Sequence, residues 1–181
     1  MALGDALIKR YEEPWRHYHH QGHIAASLAE LDRCVPGDPL LEGAIWFHDV
    51  IYDPHRSDNE DASVAWFREG TGAWLDPARV EQIVALIEAT DFRRPRGEDP
   101  AAALMVDIDL AILSADAAIY EAYTRAIREE YRHVPDEAFR AGRKKVMEHF
   151  LSAPIYRTAA FLPREEKARA NILGELERLG A

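Results

Sequence analysis

Cysteine is nearly absent: Cys34 is the single thiol in 181 residues. The chain therefore makes no intrachain disulfide and no zinc site of several thiolates, and this usage fits a reducing compartment. Any metal must be held by His and carboxylates. Long hydrophobic runs are missing too. Nothing approaches the roughly eighteen apolar residues that a membrane span needs. Met1 to Arg10 carries neither a basic leader nor a signal-type apolar stretch. The expectation is a cytoplasmic protein with no membrane partner. Positive charge is scarce, with 22 Lys plus Arg against 32 Asp plus Glu and a formal net charge of -10. Nucleic acid and anionic lipid would meet overall repulsion, so nucleic acid is not an expected partner, and a phosphate site needs a local basic patch. Clean apolar–polar alternation is lacking as well, which removes the case for strands.

What is present reads as helix. Hydrophobic residues make up 48% of the chain, enough for one sizeable core at this length. They recur at helical spacing, as in Ile24, Leu28 and Leu31, then Ile83, Leu86 and Ile87. Asp precedes Pro at 38–39, 76–77 and 99–100. There the carboxylate can cap free amides while Pro suits the first helical position. The pattern predicts helices over 14–34, 39–52, 59–70, 77–90, 100–114, 116–133, 136–152 and 164–179. With no linker or internal repeat, the expected architecture is all-α: a single domain over residues 1–181 with seven or eight helices.

The histidines carry the most information. Five of the eight fall at His17, His19, His20, His23 and His48. On one helix His19 and His23, four apart, share a face and could bind a metal. The alternative is a set of idle exposed imidazoles. His48-Asp49 sits between Ala44-Ile45-Trp46-Phe47 and Val50-Ile51-Tyr52, so an imidazole and a carboxylate share an apolar setting. A divalent cation satisfies both, and so would a buried His–Asp hydrogen bond. Asp107 and Asp109 lie in a second apolar run, 104–113. Two residues apart on a helix, they project about 200° apart and cannot both face one ion. Trp46 and Trp66, next to Phe47 and Phe67, read as core rather than a base-stacking platform.

These residues resemble the HD superfamily of metal-dependent phosphohydrolases, whose pattern is a His on one helix, a His-Asp pair on a second and an Asp on a later one. The match is His23 in Tyr18-His19-His20-Gln21-Gly22-His23-Ile24, then His48-Asp49, then Asp109. A group of predicted phosphohydrolases of about this length is similar over Glu13 to His19, Trp46 to Pro54, Asp58-Asn59-Glu60, Asp107 to Leu113 and Phe139 to Arg143. The resemblance implies that His23, His48, Asp49 and Asp109 hold one divalent transition metal ion: Mn, Fe, Co, Ni or Zn. It implies hydrolysis of a small phosphoester, a nucleotide among the candidates, by a metal-activated water.

Two departures narrow this. Between the His-Asp pair and Asp109 the only further His is His55, which favours one metal over two. The nucleotidase branch places Glu three residues after the paired Asp; here Tyr52 stands there, with Asp53 next, so a nucleoside monophosphate is not carried over. Asp53, Asp58 and Glu60 are candidates to position water or protonate a leaving oxygen, or else to solvate a loop and cap a helix. Arg16, Arg128 and Arg143 are candidates for binding the phosphate, Arg16 because two helical turns separate it from His23. Lys144 and Lys145 read as solvated charge. A non-catalytic, metal-stabilised HD module remains as the alternative function, and an orphan helical protein with incidental histidines as a third.

Overall fold

Three helices begin where Asp precedes Pro. Asp38 accepts hydrogen bonds from the amides of Leu40 and Leu41, Asp76 from Ala78 and Arg79, and Asp99 from Ala101. Each proline takes the first helical turn, where its missing N–H costs nothing. The computed structural model describes residues 3–71 and 74–180. Among them the helices are α1 (Leu3–Tyr11), α2 (Gln21–Cys34), α3 (Pro39–Phe47), α4 (Asn59–Thr71), α5 (Pro77–Glu88), α6 (Pro100–Asp109), α7 (Ala117–Glu130), α8 (Asp136–Leu151) and α9 (Glu165–Gly180). Short 3-10 turns span Leu110–Ser114 and Leu162–Arg164, and no strand occurs among these residues. The fold is all-α. No helix among the described residues is long and apolar enough to cross a membrane.

Helix α3 is apolar on nearly every side, as a helix surrounded by others should be. It packs against α2, α4, α5 and α6, and Ala44 and Ile45 are wholly buried. Tyr11 of α1, Ile24 and Leu31 of α2, Ile87 of α5, Met105 and Ile108 of α6, and Ile172 of α9 join the same core. Trp46 and Trp66 pack against it, as expected from sequence.

Several helices are shorter than the sequence pattern predicts, α6 for example giving way to a 3-10 turn after Asp109, and two of the corrections reshape the backbone around the site. The helix expected over 14–34 starts only at Gln21, with His20 as its cap. Residues 12–20 are turns, held because Arg16 and Glu130 take the backbone groups that a helix would have paired internally. The helix expected over 39–52 stops at Phe47. Beyond it, Arg16 donates to the carbonyls of Asp49 (2.7 Å) and Val50 (3.0 Å), and Trp15 Nε1 donates to that of Tyr52 (2.8 Å). These bonds fix the turn beyond the helix end, and the carbonyl of the next rung, Ile45 O, accepts from His48 Nδ1. The segment Met1 to Arg10, read above only for what it lacks, is helical from Leu3, which raises the count to nine helices among the described residues; Met1 and Ala2 lie outside them.

Candidate metal centre

His23 lies in the first turn of α2, His48 and Asp49 just past the end of α3, and Asp109 at the last position of α6. Because α3 packs against both α2 and α6, these four side chains converge. The Nε2 atoms of His23 and His48 face each other at 3.1 Å. Asp49 Oδ2 is 3.1 Å from His48 Nε2 and 3.6 Å from His23 Nε2. Asp109 Oδ1 is 3.2 Å from His23 Nε2 and 3.4 Å from His48 Nε2. His23, His48 and Asp49 together form a group able to hold a metal ion.

The donor set fits a cation on three counts. Donors about 2.1 Å from one ion in a tetrahedral shell lie about 3.4 Å apart, and the separations here run from 3.1 to 3.6 Å. His48 Nδ1 lies 2.9 Å from the carbonyl of Ile45. A carbonyl only accepts, so Nδ1 carries the proton, and in the neutral ring Nε2 keeps its lone pair for the cluster. Finally, the charge is unbalanced. Burial would push the Asp49 and Asp109 carboxyls up, but the neighbouring imidazoles overcome it and hold both well below the usual carboxylate range. Burial likewise disfavours the charged His48 ring, yet Asp49 and Asp109 outweigh it and raise its pKa well above the ordinary histidine value. Two ionised carboxylates thus draw positive charge inward, and a divalent ion supplies it in place of protons.

Asp107 faces away, as its spacing predicts. Its carboxylate accepts from the amides of Arg157 and Thr158 and from the Thr158 hydroxyl. It pins the 157–158 turn and touches no imidazole of the cluster.

The centre is open on two sides. A cavity of about 560 Å³ reaches His48, Asp49 and Asp109, and Phe92, Phe139 and Phe150 give it an apolar body. A second, of about 770 Å³, reaches His23 and Asp109 from the side of His17 and His20, and Tyr18 and Tyr123 line both.

The remaining candidates separate by position. Glu60 lines the first cavity, where burial raises its pKa, and it pairs with Arg93 at 3.2 Å. Asp53 is tied to His55 and Asn59, and Asp58 to Arg56; neither lines that cavity. Arg143 lines it, mostly buried, with Nε and Nη2 on Glu175 and Tyr123. Arg128 lies outside the lining and instead holds the carbonyls of Tyr131 and Val134 at the end of α7, together with Asp136. Arg16, expected to bind phosphate, lines neither cavity. The helix expected to carry it is a turn, and its wholly buried guanidinium binds Glu13 and the carbonyls of His19, Asp49 and Val50. It holds the Asp49 segment in place from behind.

Glu130 is not among the candidates named from sequence, and it is a buried hub. Oε1 accepts from the amides of His17, Tyr18 and His19, and Oε2 from His19 Nδ1 (2.8 Å) and the Tyr52 hydroxyl (3.0 Å). Burial opposes ionisation, but His19 and these hydrogen bonds bring the carboxyl down to about 2. A sequence signal existed: Tyr120, Tyr123, Ile127 and Glu130 share one face of α7, and all four are buried. Gly22 carries another constraint. His20 Nδ1 caps α2 by accepting from the Gly22 amide, and a Cβ at Gly22 would meet the His20 ring at 2.5 Å.

Comparison of the chain with protein-family models, with curated proteins and with solved structures found no match. The geometry alone describes it: an all-helical fold around a buried His-His-Asp group that can hold a metal.

Proposed function

We propose that this chain is an HD-type, metal-dependent phosphohydrolase acting on a small phosphoester, with nucleotides among the candidates. The observation that carries the reading is the convergence of His23, His48, Asp49 and Asp109 at the edge of a cavity large enough for a small ligand. A single divalent transition ion, Mn, Fe, Co, Ni or Zn, would polarise a phosphoryl oxygen and bring the pKa of bound water towards neutrality. The chain supplies the rest. Arg143 faces the cavity and offers charge to a phosphate oxygen, and its Nη1 makes no hydrogen bond among the described residues. Glu60 lines the same space with a raised pKa, so it can hold or accept a proton near the attacking water. The phenylalanines exclude water around the body of the substrate.

The test is elemental analysis of protein purified without an affinity tag, followed by turnover of a phosphoester panel. The expected outcome is about one metal per chain, hydrolysis, and loss of both in Asp49→Ala, with a lower melting temperature. Metal without turnover would make the chain a binding module. No metal, or metal retained by Asp49→Ala, would overturn the ligand set.

A further inference from the structure

Beside the metal cluster, His19 has one ring nitrogen committed and one free. Nδ1 donates to Glu130 Oε2 at 2.8 Å, and Nε2 makes no hydrogen bond among the described residues. The ring lines the same cavity as His48, Asp49 and Asp109. Its orientation is set from two sides: it stacks on Tyr52 with centroids 3.9 Å apart, and Tyr18 packs edge-on at 4.9 Å. Tyr52 also donates to the Glu130 carboxylate, so one buried acid fixes both the imidazole and the ring beneath it. A carboxylate holding Nδ1–H of a histidine whose Nε2 faces a reaction site is the arrangement that prepares an imidazole for proton transfer. The turn itself needs no imidazole, since Glu130 already binds the three amides of residues 17–19.

We infer that His19 is the general acid of the reaction proposed above, protonating the leaving oxygen of the phosphoester, and that Glu130 is its positioning residue. The inference rests on that phosphohydrolase reading. Water forms a new bond to phosphorus as the bond from phosphorus to the ester oxygen breaks. His19 Nε2 gives its proton to that oxygen, which leaves as the alcohol, and the proton released by the attacking water restores the imidazolium. Of the acids considered from sequence, Asp53 and Asp58 do not line the cavity, and Glu60, paired with Arg93, is the group placed above beside the attacking water and not the leaving oxygen.

The experiment compares 4-nitrophenyl phosphate, whose leaving group needs little protonation, with ethyl phosphate, whose leaving group needs it fully. His19→Gln should lose about a hundredfold or more on ethyl phosphate and several-fold on the aryl ester, with metal content equal to the parent. Equal losses on both esters, or none on either, would overturn the assignment. If the metal-loaded parent turned over neither ester nor any other phosphoester, the phosphohydrolase reading itself would fail and take this one with it. Proton NMR of the metal-free protein gives a readout apart from activity: a downfield Nδ1–H resonance absent from His19→Gln. Its persistence there would overturn the dyad. Glu130→Gln should shift that resonance and reproduce the same leaving-group selectivity if it folds; His19→Gln decides the matter if it does not.

Discussion

Asp107 and Asp109 stand two residues apart at the end of α6, and their surroundings differ completely. Asp107 meets a full set of protein donors, two backbone amides and a hydroxyl. Asp109 meets only imidazoles, shared with Asp49. Both are carboxylates in an apolar run, so burial alone does not separate structure from function. The completeness of the donor shell does. Where the chain supplies every partner, the carboxylate holds a turn; where it supplies only groups able to bind a metal, room is left for a cation.

Exchanging charge for amide at each position breaks this comparison most directly. Asp109→Asn should weaken Co(II) or Mn(II) binding by at least about a thousandfold, ~4 kcal/mol. Asp107→Asn should leave affinity within about twofold and cost roughly 1–2 kcal/mol of stability, because an amide nitrogen would face backbone donors. Metal titration and denaturant unfolding measure the pair, and the reverse order would move the ligand role to Asp107.

Arg16 sharpens the contrast from the other side, because it belongs to the fully partnered class while supporting the centre. Arg16→Ala should destabilise the fold by about 3 kcal/mol. The carbonyls of Asp49 and Val50 lose their donor, and Glu13 loses its buried partner. Metal affinity should fall with stability, since Asp49 is released along with its backbone. Unchanged unfolding in urea would show that the clamp contributes nothing.

Much of this division was legible in the sequence, and what was misread around the site traces to partners distant in sequence. Asp-Pro caps marked three helix starts, and helical periodicity gave the all-α class. His48-Asp49 and the pair Asp107/Asp109 stood out because polar residues inside apolar runs need partners, whereas His23 and the choice of Asp109 came from the family resemblance. The turn at 12–20 was not legible, because its determinants are distant: Glu130, more than a hundred residues away in sequence, holds the amides of 17–19. Helix periodicity is a local signal, and a long-range carboxylate overrode it. The same error put Arg16 two helical turns from His23 as a phosphate ligand and left Glu130 unread.

Glu130 also gives the comparison a pH dependence. Its folded pKa, about 2, lies below the ordinary value of 4.5. Its stabilisation is therefore fully present above about pH 4.5 and is lost as pH falls towards 2. The loss should be about 2–3 kcal/mol over that window. Unfolding free energies from pH 6 to 2 should follow this curve in the parent and be flatter in Glu130→Gln. Equal slopes would place the acid sensitivity elsewhere.

The smallest effect tests the fully solvated limit, in a run of three consecutive cations on α8. Arg143 is 9% exposed at its side chain and bound to Glu175, whereas Lys144 is 54% exposed and only loosely paired with Glu148 at 3.9 Å. Lys145 is exposed and outside the cavity lining. An exposed ammonium gains little from a neighbour across high-dielectric solvent, and that gain is offset by the entropy of holding a long side chain still. Lys145→Ala should therefore change stability by less than about 0.5 kcal/mol and leave metal content and turnover at parental values. Arg143→Ala should lower turnover or raise KM with metal content intact, because its guanidinium faces the cavity and not the cluster. Measured side by side, a Lys145→Ala defect as large as that of Arg143→Ala would mean that phosphate affinity follows the general charge of α8. A defect confined to Arg143→Ala would place it in one aimed guanidinium.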